Sequence, residues 1–157
     1  MNIFMLDYST DDIAKAHCDR HVVKMTLESA QLLCTAVNVL AGKQVSPYKT
    51  THVNHPCSIW VRETRENALF LYDLMRELNK EYYFRYGKQH LSCLKLEEAG
   101  IEDLILEYLP EGGMTLPAVA MPDEYKTDSV VESYRNYYRE GKKHLHNWTR
   151  RGAPAWL

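Results

Sequence analysis

The chain has no CxxC pair, no HEXXH, no GxxxxGK[ST], no internal repeat and no apolar run approaching the length of a membrane span. Each absence removes a class. A bilayer needs about 20 consecutive apolar residues, so no membrane partner is expected. Without a phosphate-cradling glycine loop, P-loop phosphoryl transfer is excluded, and no cofactor is expected. The opening MNIFMLDYSTDD has no basic n-region and turns acidic at once, unlike a signal peptide. Cys18, Cys34, Cys57 and Cys93 are widely spaced and read as reduced packing thiols, which places the protein in a cytoplasm.

Basic residues are missing from one long stretch. Between Leu96 and Tyr125 there are eight acidic residues and no Lys or Arg. The compensating charge comes next: Arg135, Arg139, Lys142, Lys143, Arg150 and Arg151 stand against the single Glu140. The net charge of −2 argues against a duplex-DNA binder working by bulk electrostatics, yet it leaves room for a local basic face.

With 45% apolar and 25% charged residues, the composition is that of a globular domain, and 157 residues suffice for one core. The pattern predicts an all-α fold, a single helical bundle over 1–157 with a short extended segment at MNIFML. Helix-start chemistry at Thr10-Asp11-Asp12 opens a helical pattern that runs to about Leu40 and stops at Gly42. A second helix starts at His55-Pro56 and runs to Gly87, its apolar face carrying Trp60, Thr64, Ala68, Leu71, Met75, Leu78 and Tyr82. Shorter helices are expected over 91–98 and 101–108. LPEGGMTLPAVAMPDEY, residues 109–125, is a long loop, and Thr127 or Asp128 caps a last helix burying Val130, Val131, Tyr134, Tyr138 and Leu145.

On the first helix, His17, His21, Lys24, Glu28, Gln31 and Thr35 fall within about 80° of one another at 100° per residue. The rest of that helix is apolar or small, the reverse of a surface helix. Two readings fit. Either the stripe walls a pocket, or Lys24 and Glu28 form an i,i+4 pair beside satisfied histidines. THVNHP, residues 51–56, is either a ligand-binding helix entrance using His52, Asn54 and His55, or a cap made by Asn54. EYYFRYGKQH, residues 81–90, offers Arg85, Lys88 and His90, with Glu81–Arg85 as a plain helical pair in the alternative. His17 and His21 have zinc-like spacing, but Lys24 one turn on would repel a cation, so no metal is expected.

In an enzyme, His21 and His55 would be the acid/base groups because imidazole titrates near neutrality. Lys24 would be nucleophile or electrostatic stabiliser, tuned by Glu28. His17, Asn54, Arg62, Arg85, Lys88 and His90 would bind substrate and its phosphate. In the last helix, Arg135, Arg139, Lys142 and Lys143 interleave with Tyr134, Tyr137 and Tyr138, a pattern suited to single-stranded nucleic acid. The alternative is an amphipathic helix with aromatics in the core, or a Tyr-rich interface making a homo-oligomer.

HCDRHVVKMTLESAQLL, THVNHPCSIWVR, EYYFRYGKQH and YRNYYREGKKHLHNW, in this order, resemble a small helical phage protein family. That family is similar to the helical domain attached to 5-hydroxymethyluracil DNA kinases, which act in thymine hypermodification of phage DNA. The resemblance implies a helical protein of the host-cell cytoplasm. Its role would be in DNA modification or counter-defence, recognising a nucleotide or an exposed DNA base. A non-catalytic binding module for a nucleotide, nucleic acid or partner protein is the alternative. A fainter likeness, through Asn54-His55-Pro56 and the Trp-bearing helix after it, is to the pyrimidine-dimer DNA glycosylases. Those attack with an N-terminal amine after methionine removal, assisted by a glutamate. Asn2 is large enough that methionine is expected to stay, and the sequence alone does not identify Glu28 with their glutamate, which counts against dimer excision by that route.

Overall fold

The computed structural model describes residues 1–157. It contains seven α-helices and no strand: α1 Thr10–Ala16, α2 Asp19–Ala41, α3 Pro56–Glu63, α4 Arg65–Tyr86, α5 Leu91–Glu98, α6 Ile101–Tyr108 and α7 Val130–Asn136. The fold is all-α, as the periodicity predicts. No helix is long and apolar enough to cross a membrane.

Two predicted helices are each divided in two. The first breaks at His17 and Cys18, both extended, where no proline or glycine marks a stop. The reason lies far away in sequence. The Cys18 amide donates to the Tyr138 hydroxyl at 3.2 Å, and the Asp19 amide donates to the Asn147 carbonyl at 2.8 Å. Backbone donors that would have continued the helix are thus satisfied from the C-terminal segment. The second breaks at Thr64, whose hydroxyl caps α4 by accepting from the Asn67 amide, while the Arg65 amide reaches the Pro110 carbonyl at 2.8 Å.

The α2 and α4 helices pack along each other and form the centre. Leu32, Leu33, Val37, Leu71, Met75 and Leu78 are fully buried between them and their neighbours α1, α3, α5 and α6. Gly42 and Gly87, both with left-handed backbone, end α2 and α4 as glycine C-caps do. The extended start is no strand, but Ile3, Phe4, Met5 and Leu6 are all buried.

The last predicted helix is also shorter than its pattern. It starts after Ser129, which caps it, and gives way to a π-helical turn over Tyr137–Gly141 and a 3₁₀ turn over Lys143–Leu145. The Lys142 amide closes the wide turn on the Tyr137 carbonyl at 3.0 Å. Such turns insert extra backbone and occur frequently at functional sites. Tyr134 and Tyr138 are fully buried inside the chain, so they form core and not an external interface.

Candidate functional site

The stripe on α2, the first residues, the start of α3 and the π-helical turn meet around one polar chamber of about 210 Å³. From α2 come His21, Lys24, Met25 and Glu28; from the start, Met1, Asn2 and Phe4; His55 stands at the entrance to α3, and Tyr137 and Lys142 close the far side.

Glu28 is the centre of its chemistry. Its Oε1 accepts from the Met1 α-amine at 3.2 Å, across 27 positions of sequence. Its Oε2 is out of solvent and has no hydrogen-bond partner. A buried carboxylate oxygen without a donor costs free energy, and native structures keep few of them outside working sites. The amine is held in place by its neighbour. Asn2 donates to the Ala120 carbonyl at 2.6 Å, and its Oδ1 lies 2.9 Å from the Tyr134 hydroxyl.

Both chamber histidines are neutral hydrogen-bonding groups. The His21 ring stacks on Phe4 with centroids 4.5 Å apart, and its Nδ1 lies 2.7 Å from the Tyr138 hydroxyl. Burial lowers its pKa to about 3, with His17, Lys142, Lys24 and Arg20 adding to the shift. His55 spends Nδ1 as the cap of α3, accepting from the Cys57 amide at 3.0 Å, so its ring proton is assigned to Nε2. Burial, then the Met1 amine and His52, lower its pKa as well. Neither imidazole is the near-neutral acid/base group that the sequence suggests. Each offers a hydrogen bond instead.

Charge at the chamber is positive in excess, with the Met1 amine, Lys24 and Lys142 against Glu28. The excess continues outward into an open groove of about 290 Å³, where Arg20, His21, Lys24, Lys142 and His144 stand together. The chamber alone is smaller than the ~300–1,000 Å³ of ordinary small-molecule pockets; chamber and groove together reach that range.

The structure therefore brings His21, Lys24, Glu28 and His55 together, as the stripe and the THVNHP cluster suggest. The proposed substrate-binding residues fare differently. His17 is buried away from the chamber, with Nδ1 on the Ile13 carbonyl at 2.7 Å. Asn54 is exposed and caps nothing; His55 does that work. Arg62 is committed to the Val53 carbonyl and Ser58. Arg85 is buried between Glu81 and Asp19, so the plain helical pair is the correct reading there. Lys88 is exposed beyond α4, and His90 caps α5 while its Nε2 reaches the Val23 carbonyl. No three His, Cys, Asp or Glu side chains assemble as a metal site.

The proposed basic face of the last helix is dispersed. Arg135 bonds the Leu6 carbonyl and Asp7, and Arg139 bonds the Trp156 carbonyl, Glu132 and Asn136. Lys143 is exposed, whereas Lys142 turns to the chamber. Sequence reasoning missed Met1, Asn2, Phe4 and Tyr137 as chamber residues, because no periodicity links them to the α2 stripe. No protein-family model, curated protein or solved structure matches this chain.

Proposed function

We propose that the chamber receives a nucleotide or an exposed DNA base, in DNA modification, and that its reactive group is the Met1 α-amine. The observation that supports this reading is the Met1–Glu28 pair: a primary amine beside a carboxylate, in a small polar chamber with a cationic mouth. Glu28 takes a proton from the ammonium, and the free amine attacks the sugar C1′. The new N–C1′ bond forms as the bond from C1′ to the base nitrogen breaks, and the base leaves with that electron pair. His55 donates a hydrogen bond to the departing base through Nε2, His21 lines the base's side of the chamber, and Lys24 and Lys142 hold the phosphate. The attached nitrogen loses a proton and pushes open the C1′–O4′ bond, whose electron pair leaves on O4′ and takes up a proton; water then hydrolyses the resulting imine and restores the amine. Removal of a base in this way leaves an abasic sugar.

The reading requires Met1 to be the first residue of the working chain, which the intact mass reports directly. The test is borohydride trapping on an oligonucleotide containing an abasic site, because its open aldehyde condenses with such an amine and the imine is then reduced to a stable adduct. The expected result is a covalent complex with the wild-type chain and none with a chain extended by Gly-Ser before Met1. Binding by fluorescence anisotropy without any adduct would make the protein a non-catalytic nucleotide-binding module. Absence of both binding and adduct would remove the chamber as a nucleotide site.

A further inference from the structure

Beside the chamber, on the neighbouring face of α2, lies an apolar trough of about 560 Å³ whose floor is Val23, Leu27 and Tyr86. Val23 is 40% and Tyr86 38% exposed, although the two helices that carry them form the buried centre of the fold. The wall is fixed in place. The Tyr86 ring lies 5.3 Å from Tyr82, which lies 5.1 Å from His90, and both nitrogens of His90 are bonded, to the Ser92 amide and the Val23 carbonyl. Arg20 and Lys24 border the trough and also the cationic groove, and Lys24 reaches the chamber as well. They lie one turn apart on α2, about 6 Å along the axis. The ion pairs of the molecule use other cations, so both ammonium and guanidinium are free for a ligand. The one carboxylate at the rim, Asp19, is already bound by Arg85, Thr149 and Asn147.

We infer that the substrate is an unpaired polynucleotide strand: the nucleotide next to the one in the chamber lays its base in the trough against Tyr86, and the phosphate between them sits on Arg20 and Lys24. This rests on the reading of the chamber as a nucleotide site. An aromatic platform beside a cationic ridge is how single strands are held without reading their sequence. A mononucleotide fills the chamber and its mouth but leaves the trough and half the ridge unused. A strand uses all three. Charge complementarity selects an anion on the ridge, and the apolar floor selects a flat ring beside it.

The experiment compares thymidine 5′-monophosphate with a short oligothymidylate, by calorimetry and anisotropy at one fixed salt concentration. Three proteins are used: wild type, Tyr86→Ala and Lys142→Ala. One base–aromatic stack is worth roughly 5- to 150-fold in affinity. The expected result is an oligonucleotide bound at least tenfold tighter than the mononucleotide. Tyr86→Ala should lose that advantage while binding the mononucleotide as wild type does, and Lys142→Ala should weaken both ligands. Equal affinity of wild type for the two ligands, with Lys142→Ala weakening both, would overturn the trough assignment and leave the chamber reading standing. Oligonucleotide binding that depends on Tyr86 and ignores Lys142 would do the reverse. No binding of either ligand would overturn both.

Discussion

A β-carbon added to Gly141 would stand 2.5 Å from Cδ1 of the Tyr137 ring, closer than any packed side chain tolerates. The two residues begin and end the π-helical turn, so the turn that brings Tyr137 and Lys142 to the chamber needs a glycine for steric reasons. Gly141→Ala is expected to push the Tyr137 ring aside, at about 1–3 kcal/mol as for other overpacked sites, and to weaken ligand binding. In Tyr137→Ala/Gly141→Ala the clash has no partner, so the second substitution should cost far less than it does alone. Urea denaturation of the four proteins of that cycle measures the coupling.

Glu81 and Arg85 sit in a buried network that also ties down the C-terminal segment. Glu81 accepts from Arg85 and, through both oxygens, from Arg151. Burial alone would raise its pKa, but the hydrogen bonds from Arg151 and Arg85 hold the carboxyl below the usual value. Removing the charge leaves Arg85 with Asp19 alone and Arg151 with no carboxylate partner, so Glu81→Gln should cost up to about 3–5 kcal/mol. Because the folded pKa is depressed, this contribution is present above the unfolded value near 4.5 and is lost as pH falls through the folded one. Hydrogen exchange in Glu81→Gln should rise first over residues 147–157.

The contrast between these two regions explains what could be read from the sequence. Helices α5 and α6 follow from local pattern and are found over the predicted residues. The breaks at Cys18 and Thr64 carry weak local signals, because their backbone donors find Tyr138, Asn147 and Pro110, more than 40 positions away. That first break takes His17 off the α2 face and into the core, while His21, Lys24 and Glu28 keep the predicted stripe. Lys142 looks like one of four exterior cations until the wide turn before it changes the direction of the chain. The Met1–Glu28 contact has no periodicity to reveal it.

The neutral histidines give the fold an acid-sensitive edge. Burial lowers His17 to about 4, and burial followed by nearby cations lowers His21 to about 3. Unfolded, each returns to about 6.5, so below that pH the unfolded chain binds more protons and stability falls with decreasing pH. Between pH 8 and pH 5 the loss should be on the order of 2 kcal/mol per ring. His21→Gln cannot titrate, and its urea midpoint should depend less steeply on pH over this interval than that of wild type. An equal slope in both proteins would place the proton uptake elsewhere.

Asn2 positions the amine through hydrogen bonds to the protein itself. Its side chain bonds the Ala120 carbonyl and the Tyr134 hydroxyl, and Asn2→Ala leaves both groups without that partner at a cost of about 1–3 kcal/mol. The Met1 amine then loses its fixed approach to Glu28. Borohydride trapping on the abasic oligonucleotide should slow more than tenfold, while oligonucleotide affinity, set by Arg20, Lys24, Tyr86 and Lys142, should change little.

Glu28→Gln separates the chemistry from the fold. The amide oxygen can still accept from the Met1 amine as Oε1 does, and the buried Oε2, which has no donor, is replaced by an uncharged nitrogen. The ammonium nevertheless loses its counter-charge and the new amide N–H groups are buried without an acceptor, so a stability cost of about 1–3 kcal/mol is expected. The ammonium, however, loses the base that deprotonates it. Trapping rate should fall by a factor of about 10²–10⁴, the ordinary contribution of a general base, and raising the pH should recover part of it as solvent takes the proton. A variant that unfolds would identify Glu28 as a structural counter-ion; a folded variant with undiminished trapping would leave the amine acting alone.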